Sequence, residues 1–319
     1  MADLDALLEK TSRTFALSIP LLPEPTRGEV TVAYLLFRIA DTLEDAAAWP
    51  WSRRMAALEE FAGLVEAPPE AAGTAMASRS AAWCDGLPSD HHGYLELLAA
   101  TPRVYAALHG LAPEARRVIA RDTVRTARGM ASFLRRSDED GHLELDDEED
   151  LARYCYVVAG IVGEMLTDLF LLGRPALAPW ADDLRRRAAL FGEALQLVNI
   201  LKDSAADAEE GRRFLPRVVD RSAVFRRARG DLAAAAEYVA VLQRGLGAGV
   251  ERGLVAFCAL PVRLAWSTLD RVERAGAGAK LSRPEVLRIV AELERALDEG
   301  DPAVPLKEAR RLAGARRGA

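Results

Sequence analysis

The chain has 319 residues, of which 50% are hydrophobic and 28% are charged, and this composition excludes a wholly disordered chain and a fibrous one. The formal net charge is −6, so the overall electrostatic field repels nucleic acid, and we expect no nucleic-acid partner. Three cysteines, Cys84, Cys155 and Cys258, are too few for a disulfide framework, which fits a reducing cytoplasm.

Apolar residues recur at steps of three and four along most of the chain, and alanine, leucine, arginine and glutamate are abundant. Both features indicate an all-α protein. In chain order, helices are predicted near residues 27–47, 52–66, 76–100, 114–136, 147–173, 179–207, 222–245, 250–273, 283–298 and 304–314. None of the breaks between them resembles a flexible linker, so we predict a single helical domain over 1–319, with its core at about 12–298.

No segment of the sequence is a nearly uninterrupted apolar run of the length that a membrane-spanning helix needs. Such a helix needs about 20 nearly uninterrupted apolar residues. The most apolar long segment, residues 154–172, contains Glu164 and Asp168. The N-terminus also lacks the basic and then apolar order of a signal peptide. We therefore expect no transmembrane segment and a cytoplasmic location.

A first acidic row lies within the predicted helix 27–47. Asp41, Glu44 and Asp45 are spaced at i, i+3 and i+4, which places them on one side of that helix. Arg38 lies one turn earlier on nearly the same line. Apolar residues surround most of the rest of the helix, and carboxylates in such a setting need cations because uncompensated buried charge is costly.

A second row of oxygen-bearing side chains lies on the predicted helix 179–207. Asn199, Asp203 and Asp207 step by four, and Glu193 and Gln196 fall on the same side of the helix. All these ligand atoms are oxygens, which suits Mg²⁺ shared with substrate phosphate oxygens. A solvated helix face is the alternative interpretation of either row alone.

Two such rows, each with a cation (Arg38 and Lys202), favour a metal clamp for a diphosphate. We expect the rows to face each other across an apolar chamber, as in an enzyme that ionises prenyl diphosphates.

Several segments of the chain resemble the squalene and phytoene synthase family. In that family's order they are SRTF at 12–15, YLLFR at 34–38, DTLED at 41–45, YCYVVAGIVG at 154–163, QLVNILKDSAAD at 196–207, GRRFLP at 211–216 and FCALP at 257–261. The resemblance spans about residues 12–284 and implies an isoprenoid synthase helical bundle with a central cavity. The segment FCALP is similar to a helix that is typical of the squalene-forming branch of the family.

The resemblance implies three groups of site residues. The Mg²⁺ ligands would be Asp41, Glu44, Asp45, Asn199, Asp203 and Asp207. The substrate-binding residues would be Arg13, Phe15, Tyr34, Arg38, Gln196, Lys202, Arg212 and Phe257, of which the four cationic residues contact diphosphate and the others line the prenyl channel. Tyr154 would assist proton transfer, acting with the catalytic carboxylates Asp41, Asp45, Asp203 and Asp207.

The implied activity is Mg²⁺-dependent head-to-head condensation of two farnesyl diphosphates to presqualene diphosphate and squalene, with NADPH as the reductant in the last step. One departure from the family pattern is Ala206, where glutamate is usual.

The enzymatic alternatives are formation of dehydrosqualene or phytoene and prenyl transfer to another acceptor. A rival of another class is a helical scaffold that binds isoprenoids without turnover. The resemblance suits a bacterial type that contacts the inner membrane face only to release product. The sequence gives no indication of oligomeric state.

Overall fold

The structure of the protein is a computed structural model that describes residues 2–12, 14–138, 142–247 and 251–299. The chain forms two compact units, each built from segments that are distant in sequence. The described residues of the first unit come from Met1–Pro20, Glu24–Glu144 and Glu210–Arg212. Those of the second unit come from Leu21–Pro23, Leu145–Glu209 and Arg213–Ala319.

The first unit contains eight of the described helices. They are α1 (Ala2–Thr11), α2 (Phe15–Ser18), α3 (Thr26–Glu44), α4 (Trp51–Glu66), α5 (Pro69–Cys84), α6 (His92–Ala99), α7 (Thr101–His109) and α8 (Pro113–Leu134). Strand β1 (Leu143–Glu144) pairs with β2 (Arg212–Arg213), and Leu143 donates a backbone hydrogen bond of 3.1 Å to the Gly211 carbonyl. Gly211 has a φ of 76° and would bring a Cβ within 2.3 Å of the His142 ring, so the turn before Arg212 requires glycine.

The second unit contains the remaining described helices. They are α9 (Glu148–Cys155), α10 (Ile161–Leu171), α11 (Ala181–Glu209), α12 (Arg221–Leu246), α13 (Arg252–Ala275) and α14 (Arg283–Asp298). A π-helical turn, Tyr156–Gly160, separates α9 from α10, and a 3₁₀ turn, Pro175–Trp180, precedes α11.

The all-α prediction is confirmed, and several helix boundaries differ from the prediction. The predicted helix 76–100 is wrong as a single element because α5 ends at Cys84 and α6 begins at His92. Gly86 and Leu87 both have positive φ there, which no helix tolerates. The sequence prediction also missed α1, α2 and α7. In α7, Pro102 occupies the first turn, where a missing N–H costs nothing, and does not break the helix. The predicted helix 304–314 lies outside the described residues, and the single-domain prediction stays a prediction.

In the first unit, α3 carries the buried core to the first acidic row. Leu35, Leu36, Ile39 and Leu43 are all fully buried, and α3 packs against α4, α7 and α8. Burying a leucine-sized side chain contributes about 1.5–3 kcal/mol, so this face fixes the rotation of α3 about its axis. The side of α3 that carries Asp41, Glu44 and Asp45 is therefore fixed relative to the core of the first unit.

In the second unit, α11 packs against α10, α12, α13 and the π-helical turn. Two glycines permit its closest contacts. A Cβ on Gly163 would lie 1.9 Å from the Ala188 carbonyl oxygen, and one on Gly192 would lie 1.9 Å from the Ala159 carbonyl oxygen. Since those obstacles are main-chain atoms, the approach of α11 to the segment 156–171 depends on both glycines.

Two described stretches reach the length and hydropathy of a membrane span. They are Glu148–Leu171, with a mean hydropathy of 1.5, and Arg252–Ala275, with 1.2. In their most apolar windows, 56% and 67% of the residues are buried inside the protein. Glu164, one of the two acidic residues in the first stretch, has a hydrogen-bond partner inside the protein. The Tyr156 hydroxyl donates to its carboxylate at 3.2 Å.

Candidate active site

The first acidic row lies at the C-terminal end of α3. The Asp41 and Asp45 side chains are 32% and 56% exposed, whereas Glu44 is buried. Burial raises the pKa of Asp41 to about 6, with a further contribution from Asp45 and an opposing one from Arg38. Burial, followed by repulsion from Asp45 and Asp41, raises the pKa of Glu44 to about 8. The row therefore concentrates negative charge that a cation would relieve.

Two arginines contact the exposed carboxylates of this row. Arg38 Nη1 lies 3.2 Å from Asp41 Oδ2, and Arg38 Nε donates to the Tyr34 hydroxyl at 3.3 Å. Arg212 Nη1 donates to Asp45 Oδ1 at 2.6 Å, and its other terminal nitrogen donates to Glu210. Guanidinium groups beside an acidic row suit a ligand that carries both a cation and phosphate oxygens.

Arg54 is a third arginine of this region, and the sequence analysis did not select it. Its side chain is buried, and Nη1 donates to the Glu44 main-chain oxygen at 3.1 Å. Its charge offsets part of the rise in the pKa of the Glu44 carboxyl that burial and the neighbouring carboxylates cause. No periodicity could have indicated this residue, since it lies on α4, beyond the turn that ends at Pro50.

The second row lies on α11. Asn199 is exposed, the Asp203 side chain is 41% exposed and Asp207 is half-buried. Lys202 Nζ lies 3.1 Å from Asp203 Oδ2 and donates to Asn199 Oδ1 at 3.3 Å. The predicted cation is therefore in contact with two members of the row.

Glu193, which the sequence analysis placed on the same side of the helix, differs from that row. It is buried, and its carboxylate lies 3.9 Å from the Arg227 guanidinium on α12. Arg227 also lies 3.5 Å from Asp231 and 4.0 Å from Glu148. Burial raises the pKa of both Glu193 and Asp231. Glu193 thus belongs to an internal ion cluster that joins helices of the second unit.

The aromatic residues assigned to the substrate occupy different depths. Tyr154 is buried and stacks on Phe214, with ring centroids 4.5 Å apart. Phe257 is buried against Phe170, with ring centroids 6.1 Å apart. Phe15 and Tyr34 are half-buried and lie 5.5 Å apart, and Gln196 is half-buried on α11. Arg13 lies outside the described residues.

The side-chain oxygens of the two rows have the donor chemistry that Mg²⁺ requires. Among the residues that the structure describes, no three Asp, Glu, His or Cys side chains converge tightly enough to enclose a metal on their own. Mg²⁺ does not need such an enclosure, because it keeps several waters and is bound through one or two carboxylates plus substrate phosphates. Carboxylate and amide oxygens that are partly exposed therefore fit the ion.

Comparisons with known proteins identify the family. The squalene/phytoene synthase family matches residues 8–291, and the chain belongs to this family of prenyltransferases. A squalene synthase from Eremothecium gossypii is 32% identical over 217 residues, which are 67% of this chain and 45% of that protein. The chain thus matches less than half the length of this curated relative.

Solved structures share the helical fold. A structure of TcSQS with the ligand BPH1237 has a TM-score of 0.74 and 26% identity, covering 91% of this chain and 85% of that chain. A dehydrosqualene synthase has a TM-score of 0.57 and 18% identity, covering 93% and 96% of the two chains. The resemblance found in the sequence is confirmed.

Proposed function

We propose that the protein catalyses the Mg²⁺-dependent head-to-head condensation of two farnesyl diphosphates, giving presqualene diphosphate, squalene and free diphosphate. The observation that supports this most directly is the pair of oxygen rows, one on α3 and one on α11, each in contact with its own cation. Family membership supports the same reaction class.

The chain's own residues would act first on the diphosphate. Mg²⁺, when bound, would neutralise charge on the departing group. Its proposed ligands are Asp41, Glu44, Asp45, Asn199, Asp203 and Asp207. Arg38, Lys202 and Arg212, together with Arg13, would donate to the diphosphate oxygens, where cations matter most as the leaving group gains charge.

In the proposed reaction, the bond between C1 and oxygen of the first substrate breaks, and its electron pair leaves with the diphosphate. The 2,3 double bond of the second substrate attacks the resulting allylic cation, and loss of one proton closes the cyclopropane. Tyr154 would assist that proton transfer. Phe15, Tyr34, Gln196 and Phe257 would line the prenyl channel and exclude water from the cation.

A second ionisation and rearrangement would then give the linear carbon skeleton. A hydride from NADPH would yield squalene, whereas proton loss would yield dehydrosqualene. We place the reaction in the cytoplasm, with transient contact at the inner membrane face for product release.

The test is incubation with C15 and C20 diphosphates and Mg²⁺, followed by mass analysis of the hydrocarbon with and without deuterated NADPH. We expect a C30 alkene that carries one deuterium. A C30 conjugated triene formed without reductant would assign dehydrosqualene instead, and a C40 product would assign phytoene. Diphosphate release without a hydrocarbon would indicate another acceptor, and no release at all would support a scaffold.

A further inference from the structure

A cavity of about 400 Å³ lies in the second unit, beside the end of α11. Its lining residues are Ser204, Ala205, Arg213, Phe214, Leu215, Arg221, Gly276 and Ala277. The charged residues among them are both arginines, and no carboxylate lines the cavity. A concave site with two guanidinium groups and an apolar wall has the chemistry of a pocket for an organic anion.

Arg221 carries a positive charge that neutral groups hold in place. Nη1 donates to Ser204 Oγ at 3.4 Å, and Nη2 donates to the Leu201 main-chain oxygen at 3.3 Å. The guanidinium carbon also lies 5.6 Å from the centroid of the Phe225 ring. Within the described parts of the chain, no carboxylate approaches Arg221 within 4.0 Å. The guanidinium is thus oriented but not neutralised.

The position of Arg221 in its helix is electrostatically unfavourable. It is the first residue of α12, where the helix dipole contributes partial positive charge and acidic residues are preferred. Asp220 caps the helix, but its side chain accepts from the backbone of Ser222. A phosphate bound between the helix start and Arg221 would relieve this excess of positive charge.

A glycine-rich turn that is hydrogen-bonded to α11 forms another part of the cavity lining. Gly276 and Gly278 have φ of 88° and 82°, and the Gly278 N–H donates to the Lys202 carbonyl at 2.6 Å. This bond holds the wall formed by Gly276 and Ala277 next to Ser204. The main chain of this turn is therefore held in position next to α11 by the hydrogen bond from Gly278 to Lys202.

We propose that this cavity binds a phosphate group through Arg221, at a site distinct from the residues assigned to Mg²⁺. Arginine pairs with phosphate through two parallel hydrogen bonds, and Phe214 with Leu215 provides an apolar surface for the rest of the ligand. Two sources share this chemistry, a dinucleotide phosphate of NADPH and inorganic diphosphate. The choice of these two ligands rests on the proposed function, whereas anion binding by the cavity does not.

The experiment measures binding by calorimetry with the full chain in EDTA, using NADPH, NADH and inorganic diphosphate as separate probes. Replacing Arg221 by glutamine should weaken binding of the phosphate ligand about ten-fold or more, since one charge-assisted contact is lost. Arg226→Gln is the matched control, because Arg226 lies on the same helix, is 72% exposed and should leave affinity unchanged. Ala277→Leu, which fills the cavity, should also weaken binding.

The outcomes separate the two ligands. A preference for NADPH over NADH that Arg221→Gln abolishes assigns the 2′-phosphate of the dinucleotide. A loss of diphosphate affinity without a change for NADPH assigns diphosphate. Absence of binding by wild type, or equal effects of Arg221→Gln and Arg226→Gln, overturns the proposal. Hydrocarbon formation is assayed separately, so failure here does not count against the condensation.

Discussion

Arg54 is buried next to Glu44 and connects α4 to the end of α3 through the 3.1 Å hydrogen bond to the Glu44 carbonyl. Replacing it by methionine would leave that carbonyl without its donor and the Glu44 carboxyl without a compensating charge. Loss of one partner in such a buried arrangement costs about 2 kcal/mol or more. We expect a decrease of that size in the free energy of unfolding, measured by urea denaturation at pH 8 in EDTA.

Two further variants make the Arg54 experiment specific. Arg79→Met removes an exposed arginine that lies 3.5 Å from Glu60, and exposed pairs contribute about 1 kcal/mol or less. In a Glu44→Gln background the carboxylate is absent, so Arg54→Met should cost less than in wild type. Equal costs in both backgrounds would show that Arg54 does not act on the Glu44 side chain.

At the scale of single residues, local spacing predicted the acidic rows well. Asp41, Glu44 and Asp45 share a side of α3 because helical geometry alone decides this. Spacing could not distinguish Glu193, which the structure buries, from Asn199, which is exposed, and Asp203, which is partly exposed. That difference depends on Arg227, which belongs to another helix, and such tertiary contacts have no local signal.

The Glu193 cluster gives the second unit a predicted pH dependence. Burial raises the pKa of Glu193 and Asp231 in the folded state, so the folded protein binds protons more tightly than the unfolded chain. This stabilisation of the folded state is at its maximum below about pH 4, the pKa of these carboxyls in the unfolded chain. It is lost as the pH rises through their higher pKa in the folded protein. We expect urea stability to fall with rising pH and Glu193→Gln to reduce the slope. The exposed control Asp182→Asn should leave the slope unchanged.

At the scale of helices, amphipathic periodicity predicted the long elements and failed at the short ones. Helices α4, α8 and α12 match their predicted ranges within a few residues, because each buries one apolar face. The predicted continuous helix 147–173 contains the π-helical turn 156–160, which periodicity does not reveal. Gly160 lies in this turn, and a Cβ there would meet the Tyr156 ring at 2.7 Å. Side-chain packing around the turn therefore decides its form.

The close approach at Gly192 gives a prediction for α11. An alanine Cβ would lie 1.9 Å from a main-chain oxygen, so Gly192→Ala must displace one helix from another. Overpacking of this kind costs about 1–3 kcal/mol and can cost more where backbone must move. Gly230→Ala on α12 is the matched control, since a Cβ there meets nothing within 4 Å. It should stabilise by about 0.5–1 kcal/mol, as expected for an exposed helical glycine. Urea denaturation of both variants measures this contrast, and equal stabilities would contradict the packing argument.

At the scale of the whole molecule, the proposed reaction depends on both acidic rows, the one on α3 and the one on α11. Asp45→Asn and Asp203→Asn should each reduce turnover by about 100-fold or more, because each removes a charge that acts on the leaving group. Neither should lower the melting temperature substantially, since both side chains are partly exposed and neutralising Asp45 relieves repulsion on Glu44. Diphosphate release at saturating substrate is the measurement, and the exposed variants Asp90→Asn and Asp182→Asn are the controls.

The double variant tests whether the rows act together. Residues that serve one step as a unit are strongly non-additive, so Asp45→Asn combined with Asp203→Asn should lose little more activity than the more damaging single variant. Independent rows would multiply their losses, giving about 10,000-fold from two effects of about 100-fold each. Removal of divalent cations with EDTA should bring wild type to the rate of the double variant while far-ultraviolet circular dichroism stays unchanged. Multiplicative losses, or residual wild-type turnover in EDTA, would contradict a shared Mg²⁺-dependent step and would separate the two rows functionally.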